Sequence, residues 1–191
     1  MSGEHGDLPV AARVRRLEER LVEAGLATDA ELDDVLAKVL STASPVNGAR
    51  MAARAWTDAG YRERLLADGN AATAELGFPV GHYRLSVVQN TPGVHNLIVC
   101  TLCSCYPTAL LGPSPGWYKS FAYRSRAVRE PRAVLAEFGV ELPDDTEIRV
   151  WDSNSEARFL VLPQPPEITG LDEDALAALV TREGLIGTAL R

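Results

Sequence analysis

All three cysteines of this 191-residue sequence fall within one short run, Val99-Cys100-Thr101-Leu102-Cys103-Ser104-Cys105-Tyr106. No other stretch constrains the fold so strongly, because the rest of the chain must present these thiols together. The pattern is Cys-x-x-Cys-x-Cys. Its first step lets two thiolates turn toward one ion. The tighter second step brings the backbone nitrogens of Ser104 and Cys105 close to any metal held by all three sulfurs. Thiolates select soft or borderline transition metals. An ion that also takes the amide nitrogens must be acidic enough to displace their protons. That points to a trivalent, square-based centre with one open position, cobalt or iron rather than zinc.

Other readings of the run are weaker. An odd number of cysteines with no export signal before them argues against a disulfide. A zinc ribbon needs a second cysteine pair. An iron–sulfur cluster normally takes four cysteines. A redox pair of Cys100 and Cys103 leaves Cys105 unexplained. A zinc site of three cysteines plus His95 and a set of buried, inert thiols stay open at this point.

The net charge of -7 and the pI of about 5.0 make a poor nucleic-acid binder, since such binding rests on phosphate neutralisation. Met1 to Pro9 hold no apolar signal core, and no run of about 18 apolar residues occurs, so no membrane partner is expected. Free cysteines without an export signal predict a cytoplasmic protein.

Along the chain, Val10, Val14, Leu17 and Leu21 recur at helical spacing over residues 8–25, with Asp7 as start and Gly25 as stop. Thr28-Asp29-Ala30-Glu31 is a capping box that opens a second helix carrying Leu32, Val35, Leu36 and Val39. Ser44-Pro45 ends it. Residues 47–76 read as a second helical group capped by Asn47, with Met51 and Ala55 inward and Gly60, Gly69 and Gly77 as punctuation. Phe78-Pro79 leaves the helices. Strands are expected at Tyr83–Val88, Val94–Val99, Thr146–Asp152 and Ala157–Leu162. Pro107, Gly112, Pro113, Pro115 and Gly116 predict an irregular loop after the cysteines. Residues 119–138 read as helix broken near Pro131 and stopped by Gly139. A last helix runs from Asp172 to about Arg182. The expected fold class is α+β: a helical N-terminal arm, 1–46, then a domain, 47–191, built on a small sheet of at least four strands flanked by helices.

The run Val99–Tyr106 resembles the metal claw of the nitrile hydratase α subunit. The likeness extends to Asn90-Thr91-Pro92, His95-Asn96, Trp117-Tyr118-Lys119-Ser120, Tyr123-Arg124-Ser125-Arg126, Val128-Arg129-Glu130-Pro131 and Arg149-Val150-Trp151-Asp152, from about residue 47 to residue 188. The resemblance implies that Cys100, Cys103, Cys105 and the nitrogens of Ser104 and Cys105 ligate the metal. Cys103 would be a sulfinic acid and Cys105 a sulfenic acid, with Cys105, Cys103 and Ser104 carrying the catalysis. Thr101 and Tyr106 match the cobalt type, Co3+, with Fe3+ as the alternative. Asp152, Glu156 and Arg158, with Thr101, would support the claw from behind. Tyr106, Thr108 and Trp117 would line the substrate pocket. The resemblance also implies a β subunit as partner, with a third subunit or a cobalt-loading activator as further candidates, and an N-terminal arm that wraps that partner.

The chemistry implied is hydration of a nitrile to an amide, by attack of metal-activated water or of the Cys105 sulfenate oxygen. Thiocyanate hydrolysis, as in the related thiocyanate hydrolase γ subunit, is the alternative, and a non-catalytic metal-binding module a third. Three positions depart from the pattern. Thr108, then Ala109, follow Cys105-Tyr106-Pro107 where most members have Trp, which predicts a wider mouth suited to a bulky aromatic or heteroaromatic nitrile. Phe159 replaces a common Tyr, and Gln89 a common Glu. Arg124 and Arg126 could hold a carboxylate or an oxidised sulfur, or pair along a helix face. His5, His82 and His95 are expected to be structural.

Overall fold

The computed structural model of the chain describes residues 9–78 and 80–191. The expected cap at Asp7, His5, Pro79 and the Val39 side chain lie outside the described residues. By internal contact the chain divides into two compact units, Met1–Thr42 and Ala43–Arg191.

The first unit holds α1 (Val10–Glu23) and α2 (Asp29–Thr42). Gly25, at φ 65°, closes α1. Its amide donates to the Val22 carbonyl and the Leu26 amide reaches back to Leu21, so the last carbonyls are satisfied. The Thr28 hydroxyl accepts from the Glu31 amide, and the Glu31 carboxylate accepts from the Thr28 amide and hydroxyl. The expected capping box is therefore formed. Val10, Val14 and Leu17 on α1, and Val35 and Leu36 on α2, remain exposed.

In the second unit, α3 (Pro45–Thr57), α4 (Ala59–Ala67) and α5 (Gly69–Glu75) follow one another almost without loops. Each start is set by a side-chain oxygen that accepts a first-turn amide: Ser44 from Val46, Asp58 from Tyr61 and Asp68 from Ala71. Asn47 is not the cap that its sequence position suggests. It lies inside α3 and donates instead to the Ala109 carbonyl, 2.9 Å away. Met51 and Ala55 face inward as expected. A Cβ on Gly48 would stand 2.8 Å from the Leu110 carbonyl oxygen, so only glycine lets α3 approach the segment after the cysteines so closely.

The strands are β1 (Arg84–Gln89), β2 (Val94–Val99), β3 (Glu147–Asp152) and β4 (Ala157–Leu162). The four expected strands are present, but not as the single sheet of at least four that the sequence suggested. They form two two-stranded parallel sheets, β1 with β4 and β2 with β3. The short Ser153–Glu156 turn therefore does not make a hairpin. Ser153 is buried and its amide donates to the Val99 carbonyl, which keeps β3 on β2, while the Arg84 amide bonds the Glu156 carbonyl and starts β4 along β1. Parallel strands need a crossover. Between β2 and β3 it comprises the cysteine run, α6 (Thr108–Leu111), α7 (Gly116–Lys119), α8 (Phe121–Arg129) and α9 (Pro131–Glu137). The loop expected over 107–116 thus contains the single turn α6. Pro131 opens α9, and Gly139, at φ 79°, follows it. The expected last helix, Asp172 to about Arg182, is the shorter α10 (Glu173–Ala177), and a further helix, α11 (Arg182–Ile186), follows it.

Behind β2 lies a closed polar network. The Asn90 side-chain oxygen accepts from the amide and the side chain of Asn96, whose own oxygen accepts from the Trp151 indole. Gly187, at φ 93°, leaves no room for a Cβ beside the Asn96 carbonyl oxygen, and its own carbonyl lies 2.7 Å from His95 Nε2.

Candidate metal centre

The site is built at the carboxyl end of β2. The parallel register sets Val99 opposite Asp152, so the claw begins level with the end of β3. Asp152 takes both donors of Thr101, the amide at 2.9 Å and the hydroxyl at 2.5 Å. Cys100 is fully buried, Cys105 half-buried and Cys103 exposed. Their sulfurs lie within 4.8 Å of one another, at 3.4 Å for Cys100 to Cys103 and 3.1 Å for Cys103 to Cys105. The Cys103 amide points at the Cys100 sulfur, 3.3 Å away.

The cluster gives up its first proton readily. Hydrogen bonding from Cys105, then from Cys100 and from the Ser104 amide, draws the Cys103 thiol down to about 7. Partial burial, and its bond to Cys103, push the Cys105 thiol up to about 11, with the Arg158 guanidinium opposing. The Ser104 and Cys105 amides both face the Cys103 sulfur. Three thiols thus cluster, with the Ser104 and Cys105 amides beside the Cys103 sulfur, a donor set that fits a thiophilic transition-metal ion. His95 does not join it. One ring nitrogen faces the Gly187 carbonyl and the other the Asn90 side-chain nitrogen, so a neutral ring with its proton on Nε2 is fully used. The zinc reading with His95 as fourth ligand is thereby removed.

Side chains from the crossover hold the backbone of the run from behind. The Tyr123 hydroxyl donates to the Ile98 carbonyl at 2.6 Å and the Tyr118 hydroxyl to the Cys105 carbonyl at 2.9 Å. Arg124 donates to the Cys100 carbonyl at 3.2 Å and the Thr101 carbonyl at 2.8 Å. Burial raises the pKa of both tyrosines and keeps them donors. Sequence reasoning assigned none of these four hydrogen bonds. The available signal was an irregular run whose carbonyls need partners, followed by a helix beginning with hydroxyl and guanidinium side chains.

Other expected site residues fall as follows. The Arg158 guanidinium bonds the Asn154 carbonyl, stands beside Cys105 and lies over the Tyr83 ring, 5.0 Å from its centroid. The Glu156 side chain is exposed on the turn before β4, and its amide is held by Asn154. Phe159 stacks on Trp151 at 5.2 Å. Thr108 is exposed at the start of α6. Tyr106 is buried and Trp117 half-buried. Tyr106 packs edge-on against Tyr118, and Trp117 lies within 5 Å of the Tyr123 and Phe138 rings, edge-to-face arrangements that aromatic pairs favour. Arg126 pairs with Glu130 and Glu137.

The family profile described as nitrile hydratase, alpha chain, matches residues 8–189. The cobalt-containing nitrile hydratase subunit alpha of Pseudonocardia thermophila is 48% identical over 191 residues, covering 97% of this chain and 93% of that protein. Thiocyanate hydrolase subunit gamma of Thiobacillus thioparus is 42% identical, covering 91% and 76%. Among solved structures, a double mutant of the Fe-type nitrile hydratase from Comamonas testosteroni Ni1 superposes with a TM-score of 0.89 at 40% identity, covering 95% of this chain and 91% of that one. A sulfur-ligated α+β subunit of this kind defines a class of metal-dependent hydro-lyases. The chain belongs to the nitrile hydratase α-chain family.

Proposed function

We propose that this chain is the metal-bearing subunit of a cobalt nitrile hydratase, working in the cytoplasm with a β subunit. The observation that carries the reading is the cluster of three cysteine sulfurs just beyond β2, within a family whose named relatives include cobalt-containing enzymes. Cys100, Cys103 and Cys105 and those two nitrogens would hold Co3+, which, when bound, supplies Lewis acidity toward a nitrile or a water. The chain's own groups do the rest. Asp152 and Arg124 fix Thr101, and Tyr118 fixes the carbonyl of Cys105. The exposed side of Cys103 and Ser104 leaves the approach to the sulfurs open. Addition of water across the C≡N bond passes through an imidate anion, and Arg158, beside Cys105, is a cation of this chain that would stabilise it. Thr108, exposed beyond Pro107, supports a mouth wide enough for a bulky aromatic or heteroaromatic nitrile. Leu102 and Phe121 are each 81% exposed, apolar surface of the kind that a β subunit covers. Among the described residues no helix is long and apolar enough to cross a membrane.

Co-expression with the partner chain in cobalt-supplemented medium tests the reading. Stoichiometric cobalt, added oxygen mass on Cys103 and Cys105, and amide formed from an aromatic nitrile are the expected results. Turnover of thiocyanate in place of the nitrile would assign the alternative, and tightly bound zinc on unoxidised sulfurs would overturn both. Tracing the amide oxygen through a single turnover separates attack by bulk water from attack by oxygen on Cys105.

A further inference from the structure

We propose that Arg124 is a positioning residue of the metal claw: by gripping two consecutive carbonyls it fixes the Cys100–Thr101 half of the run before any ion arrives. The inference rests on the reading of the run as a metal centre. Its basis is the contrast between two neighbouring arginines on α8. Arg126 spends its guanidinium on Glu130 and Glu137, at the surface. Arg124 donates through Nε to the Cys100 carbonyl and through Nη2 to the Thr101 carbonyl, and makes no carboxylate pair among the described residues. A planar fork that holds two successive peptide units fixes both planes at once, which an ammonium group on a flexible stem does not do.

Thr101 is then engaged at every polar atom. Asp152 takes its amide and hydroxyl, and Arg124 takes its carbonyl. A residue bound on both sides has little freedom to rotate, and it sits directly after the buried cysteine. The Cys100 sulfur is thereby presented at a set place, where the Cys103 amide meets it at 3.3 Å. The other half of the run is exposed at Leu102, Cys103 and Ser104 and is held at its end by Tyr118 on the Cys105 carbonyl. Arg124 acts on the ligands through the backbone and touches neither substrate nor sulfur. It is neither the partner of an oxidised sulfur nor an ordinary helix-face ion pair.

Arg124→Lys and Arg124→Met in the assembled, cobalt-loaded enzyme provide the test. Arg124→Lys keeps the charge and loses the two-point grip. Expected are cobalt retention against EDTA weakened about 10- to 100-fold, a displaced sulfur-to-metal charge-transfer band, and a lower kcat at unchanged KM, with circular dichroism and Tm close to wild type. Wild-type retention and an unmoved band in Arg124→Lys would overturn the proposal. Should Arg124→Met fail to assemble, Arg124→Lys combined with Asp152→Asn decides the matter. Both act on Thr101, so their losses in retention should be less than additive, and full additivity would sink the idea. If the wild-type enzyme itself holds no cobalt, the metal reading fails rather than the role of Arg124.

Discussion

The two halves of the six-residue run differ more than their sequence suggests. Cys100 and Thr101 are clamped: the sulfur is buried, and the polar groups of Thr101 are taken by Asp152 and Arg124. Cys103 and Ser104 lie on the surface. The same contrast separates the two thiols nearest in sequence. Cys103, exposed among donors, is pulled down to about 7, while burial pushes its half-buried neighbour Cys105 up to about 11. A ligand set with one fixed side and one open side can admit an ion from solvent and still hold it in a defined geometry. Preorganisation of this kind makes a site specific when the supporting contacts are themselves locked.

The largest effect should come from the fixed side. Cys100→Ser removes the buried sulfur, and we expect cobalt content to fall to background and turnover to vanish, as read by metal analysis and amide release. Residual stoichiometric cobalt would break the comparison. Asp152→Ala frees the amide and hydroxyl of Thr101 without touching a ligand, and should weaken cobalt retention by about 10- to 100-fold. Tyr118→Phe removes the donor to the Cys105 carbonyl from a fully buried position. A loss of about 1–3 kcal/mol is expected in urea unfolding, with the open half of the claw showing the faster amide exchange.

A gentler test uses pH. Burial depresses His95 below its ordinary 6.5, with the Gly187 carbonyl opposing. Above that value both folded and unfolded chains carry a neutral ring, and the full stability is present. As pH falls below it, the unfolded chain takes up a proton that the folded chain resists, so stability declines. His95→Asn should flatten this part of the curve. The smallest effect belongs to Arg126→Ala, which breaks exposed pairs with Glu130 and Glu137 and should leave cobalt retention and the unfolding midpoint where they were.

Local signals were legible along the chain because their causes are local. Thr28 with Glu31, Gly25, Pro131 and Gly139 act within one turn of themselves, and the structure places each where its chemistry requires. The alternation of Leu85 and Val87 marked a half-buried strand in the same way. Asn47 misled because two residues of equal capping chemistry stood close together, and Pro45, which suits the first turn of a helix, favoured Ser44. The ring cluster of Trp117, Tyr123 and Phe138 was not legible, because only the packing of α7, α8 and α9 brings these rings together.

The sequence by itself placed three thiols within six residues, close enough for their sulfurs to gather wherever the fold sets the run, and the structure brings them within 4.8 Å of one another. Only the tertiary structure decided what stands behind them. The parallel pairing of β2 with β3 brings Asp152, 51 residues away, onto Thr101, and the crossover returns Arg124 and Tyr118 to the same backbone. Contacts between distant segments depend on register and packing, and those are properties of the whole folded chain rather than of any stretch within it.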